Sequence, residues 1–348
     1  MRVLKSSENN VHFKNARSLF ASDNLKDAEQ NASSLSVKSK IENQVAIILA
    51  YYDGHLFIKD QLHSIFDQSH KALNVFLYDD QSNTPFSLDN LQLDSKQLSK
   101  LSLVTRSQNI GLTKNFLNPL ANINEKFDYF AFSDQDDIWH KDKLEKAIAK
   151  ISKVQSDIPA LYCARTEIVD ATAENTLSNS PLFSRPPSFA NALVQSIGGG
   201  NTMVFNRAAK NLIIKASLNF DVIYHDWWCY QIIAGVGGYI FCDPEPCLKY
   251  RQHDSNLVGS NNGWRARLIR IRKLFQGHLR ESNDINIKSL SENKHLLTKS
   301  NQKVLDDFIK ARQSTFFKRL YFFKRSGIYR QTLFDNFGLF LGIMLNKL

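Results

Sequence analysis

Phe130-Ala131-Phe132-Ser133-Asp134-Gln135-Asp136-Asp137-Ile138-Trp139 joins an apolar run to three carboxylates within four residues. The apolar half has the character of a strand buried on both faces. Carboxylates this close repel one another and ionise together only beside a cation or several hydrogen-bond donors. At the C-terminal end of a strand in an open α/β sheet, such a cluster lies where ligands bind. A divalent cation holding a diphosphate would satisfy it, because hard cations take oxygen from protein and phosphate alike. An acidic turn capping the next helix is the other reading of the same residues.

Upstream, the same alternation repeats. Val45-Ala46-Ile47-Ile48-Leu49-Ala50 is a second fully apolar run, ended by Tyr51-Tyr52-Asp53-Gly54. Ile58, Leu62, Ile65 and Phe66 then recur at helical spacing. Asn74–Tyr78 reads as a strand closed by Asp79-Asp80-Gln81-Ser82, and Leu101–Val104 as another, followed by Asn109-Ile110-Gly111 and a helix around Lys114–Leu120. Downstream come a helix over Lys143–Ile151, a strand over 160–170, and a glycine turn, Gly198-Gly199-Gly200, entering Met203-Val204-Phe205. Strands alternating with helices predict an α/β fold with a mostly parallel central sheet flanked by helices. Asp53, Asp79, Asp80, Asn109, Asp134, Asp136 and Asp137 all fall at strand ends, which gather along one edge of such a sheet.

A second constellation, Tyr224-His225-Asp226-Trp227-Trp228, sets an acid beside two indoles at the expected start of a helix. Apolar surroundings raise a carboxyl pKa, which suits a general base; an N-cap Asp followed by core tryptophans fits the residues as well. Tyr250-Arg251-Gln252-His253 follows the expected strand end Cys247-Leu248-Lys249 and carries a histidine able to reach the same crevice.

At 348 residues and 43% hydrophobic content, the chain can bury one large core or two smaller ones. Its four cysteines form no CxxC pair and no signal-peptide pattern is visible, so they read as reduced thiols of a cytosolic protein. Asp243-Pro244-Glu245-Pro246, between Cys242 and Cys247, reads as a loop. Neither a GxGxxG nor a GxxxxGK[ST] pattern occurs, which excludes the sequence signatures of a dinucleotide fold and a P-loop. Residues 1–42 are a polar arm, 43–262 the α/β domain and 263–348 a basic, aromatic helical segment.

The net charge of +10 is uneven. From Trp264 to Leu348 there are 18 basic against 6 acidic residues, leaving the rest of the chain slightly acidic. Trp264–Arg280 alternates arginines with Leu and Ile, and Phe316–Arg325 mixes aromatics with cations. The apolar run Phe337–Leu345 falls far short of the roughly 20 residues that span a bilayer. Such helices suit an anionic membrane surface. A helical appendage packed on the α/β domain is the alternative. No nucleic-acid-binding motif accompanies the charge, so no nucleic-acid partner is expected.

Taken in order, these motifs resemble the family 2 glycosyltransferases of GT-A fold, particularly bacterial rhamnosyltransferase-like members, over roughly residues 44–260. The segment Ile48–Ile65 resembles the family's opening strand and donor-base loop. Asp79-Asp80-Gln81-Ser82 resembles its nucleoside-reading Asp-Asp-Gly-Ser element, with Gln81 where the family has Gly. Asn109–Phe116 matches the stretch beside the nucleotide, and Ser133–Trp139 its DxD-type motif. The resemblance implies donor binding by Ala50, Tyr52, Asp53, Asp79, Asp80, Asn109, Gly111, Lys114, Asp134 and Gln135. It further implies Mg²⁺ or Mn²⁺ on Asp136 and His253, and Asp226 as catalytic base.

An inverting, metal-dependent sugar transfer follows from that likeness. The donor is a nucleotide-diphosphate sugar, with dTDP-L-rhamnose expected and a UDP-hexose or UDP-N-acetylhexosamine as alternatives. The acceptor is a glycan or lipid-linked glycan of a bacterial surface polysaccharide, and the location is cytoplasmic, peripheral on the inner membrane. A non-catalytic nucleotide-sugar-binding scaffold is the competing class, against which the presence of Asp136, Asp226 and His253 speaks. A nucleotidyltransferase would need a glycine-rich, basic triphosphate loop, and none is evident.

Overall fold

Val45–Tyr51 (β1), buried along its whole length, is the strand around which the sheet is built. It runs parallel to Leu73–Asp79 (β2) on one side and to Tyr129–Ser133 (β4) on the other, and Leu101–Thr105 (β3) extends β2 in the same direction. Beyond β4 the directions become mixed. Val204–Asn206 (β8) is antiparallel to β4 and to Ala160–Val169 (β6), while β6 is parallel to Tyr239–Arg251 (β9). Ile138–Trp139 (β5) closes the far edge against β9, and Thr176–Asn179 (β7) pairs with β6. The order is β3-β2-β1-β4-β8-β6-β9-β5. This computed structural model describes residues 43–84, 86–89, 91–217, 221–253 and 278–348. The expected polar arm over 1–42 and the arginine-rich stretch Trp264–Gly277 lie outside the described residues.

Alternation along β1 explains why its apolar run is continuous. Ile47 and Leu49 face one layer, with Val75, Leu77 and Ala131, against Ile58–Phe66 (α1) and Lys143–Ile151 (α4). Ile48 faces the other, with Phe130, Phe132 and Phe205. That second layer is covered by Leu112–Leu120 (α3), Arg207–Ser217 (α6) and His225–Gly235 (α7). Two short helices, Ser95–Leu98 (α2) and Phe189–Ala192 (α5), sit in the connections.

The C-terminal segment folds as His278–Glu292 (α8), Lys299–Gln313 (α9), Phe316–Ser326 (α10) and Leu333–Met344 (α11). Leu290, Leu305, Phe308, Ile328, Leu339 and Ile343 belong to the same buried cluster as Phe130 and Phe205. The helices are therefore packed into the second layer of the α/β core. Among the described residues, no helix is long and apolar enough to cross a membrane.

One expectation needs correcting. Asp243-Pro244-Glu245-Pro246 lies inside β9 instead of forming a loop. The β6–β9 register shifts on both sides of Arg165, so Pro244 and Glu245 fall in a bulge. β5 reaches β9 only at Leu248 and Lys249, so the proline stretch has a single neighbouring strand and can lack a ladder N–H. All four cysteines are free thiols, and Cys242 stands opposite Cys163 in the β6–β9 register.

Candidate active site

The parallel half of the sheet brings the ends of β1, β2 and β4 to one edge, and each end is held by the next. After β1, the chain turns at Asp53, whose φ of 46° lies in the left-handed region. The Asp53 N–H donates to Ser82 Oγ at 2.9 Å, and its carboxylate accepts from Asn83 Nδ2 at 2.6 Å. Gln135 clamps the neighbouring residue: its Oε1 accepts from Tyr52 N at 2.8 Å and its Nε2 donates to Tyr52 O at 3.1 Å. A Cβ on Gly54 would overlap that carboxamide, so a side chain there would push Gln135 out of its clamp.

At the end of β2, both acids are buried and engaged. Asp79 Oδ1 accepts from the N–H and hydroxyl of Ser82, and the Asp80 oxygens accept from Ile110 N and Gly111 N at 2.9 Å each. Gln81, standing where the resemblance expects glycine, adopts φ 62° and is fastened by Asn109 N donating to its Oε1 at 2.9 Å. Asn109 Nδ2 donates to Asp80 O, and Gly111, at φ 80°, precedes α3. Two expected donor residues stand apart from this lattice. Ala50 is buried in the core cluster, and Lys114 is exposed on α3, paired with Asp221 at 3.2 Å.

At the end of β4, the acidic cluster divides by role. Asp136 Oδ2 and His253 Nε2 are 3.0 Å apart, and the His253 ring stacks on Phe57. Asp137 points inward instead: its Oδ2 accepts from Asn201 Nδ2 at 2.7 Å, while its buried Oδ1 has no hydrogen-bond partner among the described residues. Burial, reinforced by Asp136 and Asp134, pushes its carboxyl well above the usual carboxylate range. Burial first, then Asp136 and Asp226, raise the Asp134 carboxyl to about 7. The last of these causes means that the two constellations, separate in sequence, share one field.

Lys143 and Asn201 carry a part of this site that the motifs did not announce. The fully buried Lys143 ammonium donates to Asn201 O at 2.5 Å and lies over the Trp139 ring, with burial lowering its pKa to about 8. A signal was present: Lys143 stands four residues before Ala147, on the stripe where α4 buries Leu144, Ala147, Ile148 and Ile151.

Asp226 sits in the first turn of α7, where Trp227 N donates to its Oδ1 at 2.7 Å. Burial raises its carboxyl to about 6, against the lowering effect of the Trp227 and Gly200 N–H groups. The indoles anchor the helix: Trp227 Nε1 donates to Ala192 O at 2.6 Å and Trp228 Nε1 to Ser217 Oγ at 2.9 Å. His225 stacks on Phe116 with ring centroids 4.1 Å apart, and burial drives its pKa down to about 3, so the ring is neutral. A Cβ on Gly200 would overlap the His225 ring. The glycine turn is thus a close approach that seats α7.

Among the described residues, no cluster of three or more His, Cys, Asp or Glu side chains is arranged to hold a metal. The facing Asp136–His253 pair nevertheless offers one carboxylate and one imidazole to a cation that takes its remaining ligands from phosphate oxygens and water, a donor set less suited to Mg²⁺, which prefers oxygen, than to a transition metal.

Residues 46–212 match the family described as Glycosyl transferase family 2. The chain is 29% identical over 237 residues to the dTDP-rhamnosyl transferase RfbG of Shigella flexneri, covering 64% of this chain and 78% of the relative. It is 35% identical over 104 residues to the putative teichuronic acid biosynthesis glycosyltransferase TuaG of Bacillus subtilis (strain 168), covering 30% and 40% of the two chains. Among solved structures, S. aureus TarS 1-349 in complex with UDP-GlcNAc is similar at 14% identity and TM-score 0.47, covering 82% of this chain and 93% of that one. The mannosyltransferase PcManGT from Pyrobaculum calidifontis, in complex with GDP-Man and Mn²⁺, is similar at 14% identity and TM-score 0.45, with coverage of 88% and 86%.

Proposed function

Since residues 46–212 make this chain a family 2 glycosyltransferase, we propose that it transfers L-rhamnose from dTDP-L-rhamnose, with inversion, to a glycan or lipid-linked glycan of a bacterial surface polysaccharide. The observation that carries the reading is the shared field of Asp134, Asp136 and Asp226 at one sheet edge, with His253 on Asp136. The named activity of the Shigella relative supports the choice of sugar nucleotide.

In this reading Tyr52, Asp53 and Asn109 present the surface met by base and ribose, while Asp79 and Asp80 keep those loops in shape. Gln135 fixes the first loop against the acidic one. Asp136 and His253 would hold Mg²⁺ or Mn²⁺, which when bound supplies Lewis-acid neutralisation of the diphosphate charge. Asp226 takes the proton of the acceptor hydroxyl as that oxygen attacks the anomeric carbon from the face opposite the nucleotide. A glycosidic bond forms, the bond to the diphosphate breaks, and the diphosphate departs with the electron pair. A carboxyl raised to about 6 is ionised at neutral pH yet basic enough to accept that proton.

Calorimetric titration with dTDP-rhamnose, UDP-glucose, UDP-galactose and UDP-N-acetylglucosamine, with and without Mn²⁺, tests the proposal. Metal-dependent binding of dTDP-rhamnose in preference to the others is expected. Preference for a UDP-sugar would replace the donor and leave the chemistry. Folded protein that binds none of them would favour a scaffold without transfer activity.

A further inference from the structure

Helix α10 is fastened by the wrong residues for an ordinary surface helix. Its sequence, Phe316-Phe317-Lys318-Arg319-Leu320-Tyr321-Phe322-Phe323-Lys324-Arg325-Ser326, holds five aromatics, yet Ser326 is its one buried residue. Its attachments are polar. Arg325 grips the Asp307 carboxylate with two bonds of 2.7 and 2.6 Å, and Arg319 donates to Ile343 O and Met344 O at the end of α11. Leu320, Phe322 and Phe323 pack partly on the core, whereas Phe316, Phe317 and Tyr321 face outward, Phe317 being 83% exposed.

Helix α11 repeats the pattern. Leu339, Gly342 and Ile343 are buried on one side. Leu333 and Phe337, with Phe340 three residues further, form a stripe at helical spacing on the other side, and Leu333 is 92% and Phe337 60% exposed. Phe323, on the side of α10 that packs on the core, meets Phe340 with ring centroids 6.3 Å apart, so the two helices lie side by side. Large apolar side chains exposed together on neighbouring helices mark an interaction site.

We propose that the outward face of α10 and α11 rests on an anionic lipid bilayer, with Phe317, Tyr321, Leu333 and Phe337 in the headgroup–acyl boundary and the neighbouring cations at the lipid phosphates. Charge selects this occupant. Between Ser314 and Leu348 stand six Lys or Arg and a single acid, Asp335. A second copy of the same face would bring Lys318 and Lys324 against their own kind with almost no acid to answer them. Anionic lipid supplies the missing charge and takes up the aromatic side chains together. At 12 residues α11 is about 18 Å long, suited to lying in the interface and too short to cross it. The placement deepens the transferase reading, on which it rests only for its consequence: the acceptor is lipid-borne and meets the crevice at the membrane surface.

Flotation of the full chain with vesicles of mixed phosphatidylcholine and phosphatidylglycerol, and of phosphatidylcholine alone, tests this surface. The protein should float with the anionic vesicles, and raised salt should weaken it. The triple variant Phe317→Ser, Leu333→Ser, Phe337→Ser and the double variant Lys318→Glu, Lys324→Glu should each bind at least about tenfold less. Melting temperature and donor binding should stay unchanged in both, which separates lost docking from lost folding. Flotation of the triple variant equal to that of the parent would overturn the proposal. So would absence of flotation, or a dimer in light scattering that the triple variant dissolves. Flotation lost with donor binding intact removes the docking surface alone; donor binding absent with flotation intact removes the transferase reading alone.

Discussion

The crevice at the sheet edge and the outward face of α10 and α11 solve opposite packing problems. In the crevice, polar groups are turned inward and answered by one another: Asp80 by two backbone N–H groups, Asp137 by Asn201, Asn201 by Lys143. On the C-terminal helices, polar groups make the attachments and apolar groups are left outside. Inward polarity fixes shape, because each buried donor or acceptor loses about 1–3 kcal/mol if its partner moves. Outward aromatics fix little within the chain, Tyr321 meeting Arg325 and Phe322 of its own helix. The difference teaches that the first region is intolerant of small changes and the second tolerant of large ones, until a second phase is supplied.

The hardest test of that contrast is Asp226→Asn. Transfer should fall by about 10²–10⁴-fold, with donor affinity nearly unchanged, because the role proposed for the carboxylate is toward the acceptor. Loss of donor binding by calorimetry would instead make Asp226 part of the donor lattice. The same residue sets a pH dependence. For the proposed base the active form is the carboxylate, so the rate should climb as pH rises through about 6, and that limb should vanish in the Asn variant. For the metal-free protein the sign is reversed. A carboxyl raised in the fold binds its proton more tightly than in the unfolded chain, so this group's contribution to stability falls as pH rises from its unfolded value toward about 6. Melting curves across that window, flattened in Asp226→Asn, are the check.

Next in size, Asp136→Ala or His253→Ala should weaken the metal-dependent part of donor binding by about 10–100-fold. Unchanged titration by Mn²⁺ would remove both from the proposed metal site.

A single methyl should then suffice to disturb the crevice. Gly200→Ala places a carbon where the His225 ring lies and should cost about 1–3 kcal/mol, read as a lowered melting temperature and reduced transfer. Removing a whole ring by Phe317→Ser should leave the melting temperature in place. If the ring deletion destabilised the protein as much as the methyl, the contrast would fail.

The smallest effect is expected at Gln81. Gln81→Gly relieves a left-handed backbone and surrenders the bond from Asn109, two effects of about 1 kcal/mol and opposite sign. A net change within about 1 kcal/mol in chemical denaturation would confirm that the bond offsets the strain.

The strands and helices of the α/β core were legible because their signals are local. Val45–Ala50 and Phe130–Phe132 are apolar on both faces, and Lys143–Ile151 keeps a helical stripe. β9 was misjudged at Pro244 and Pro246, since whether a proline is tolerated in a strand depends on which neighbours stand beside it, and sequence does not state them. Asp134, Asp136 and Asp226 stood out as clustered charge. Lys143 did not: its place on the buried stripe of α4 hinted at burial, but its role shows only once Asn201 and Trp139 are known to surround it. The membrane-suited composition of the C-terminal helices could be read in the sequence, but not which side of α11 faces outward, because apolar residues at helical spacing look alike whether they face a core or water.

The hydrogen bonds joining the C-terminal segment to α5 and α7 also bear on how the chain is made. Tyr329 Oη meets Ser188 Oγ, Tyr329 O accepts from Asn191 Nδ2, and Gln331 N donates to Gln195 Oε1. The same Asn191 accepts from Tyr230 of α7, a helix buried on nearly every side. Synthesis runs about a hundred residues past the end of α7 before Gln331 is added, an interval of about 5–20 s at bacterial elongation rates. Throughout that interval Asn191 lacks Tyr329, and the shared buried cluster lacks Ile328, Leu339 and Ile343. Apolar surface is left open meanwhile, so α5 and α7 reach their final packing only once the C-terminal helices have emerged from the ribosome.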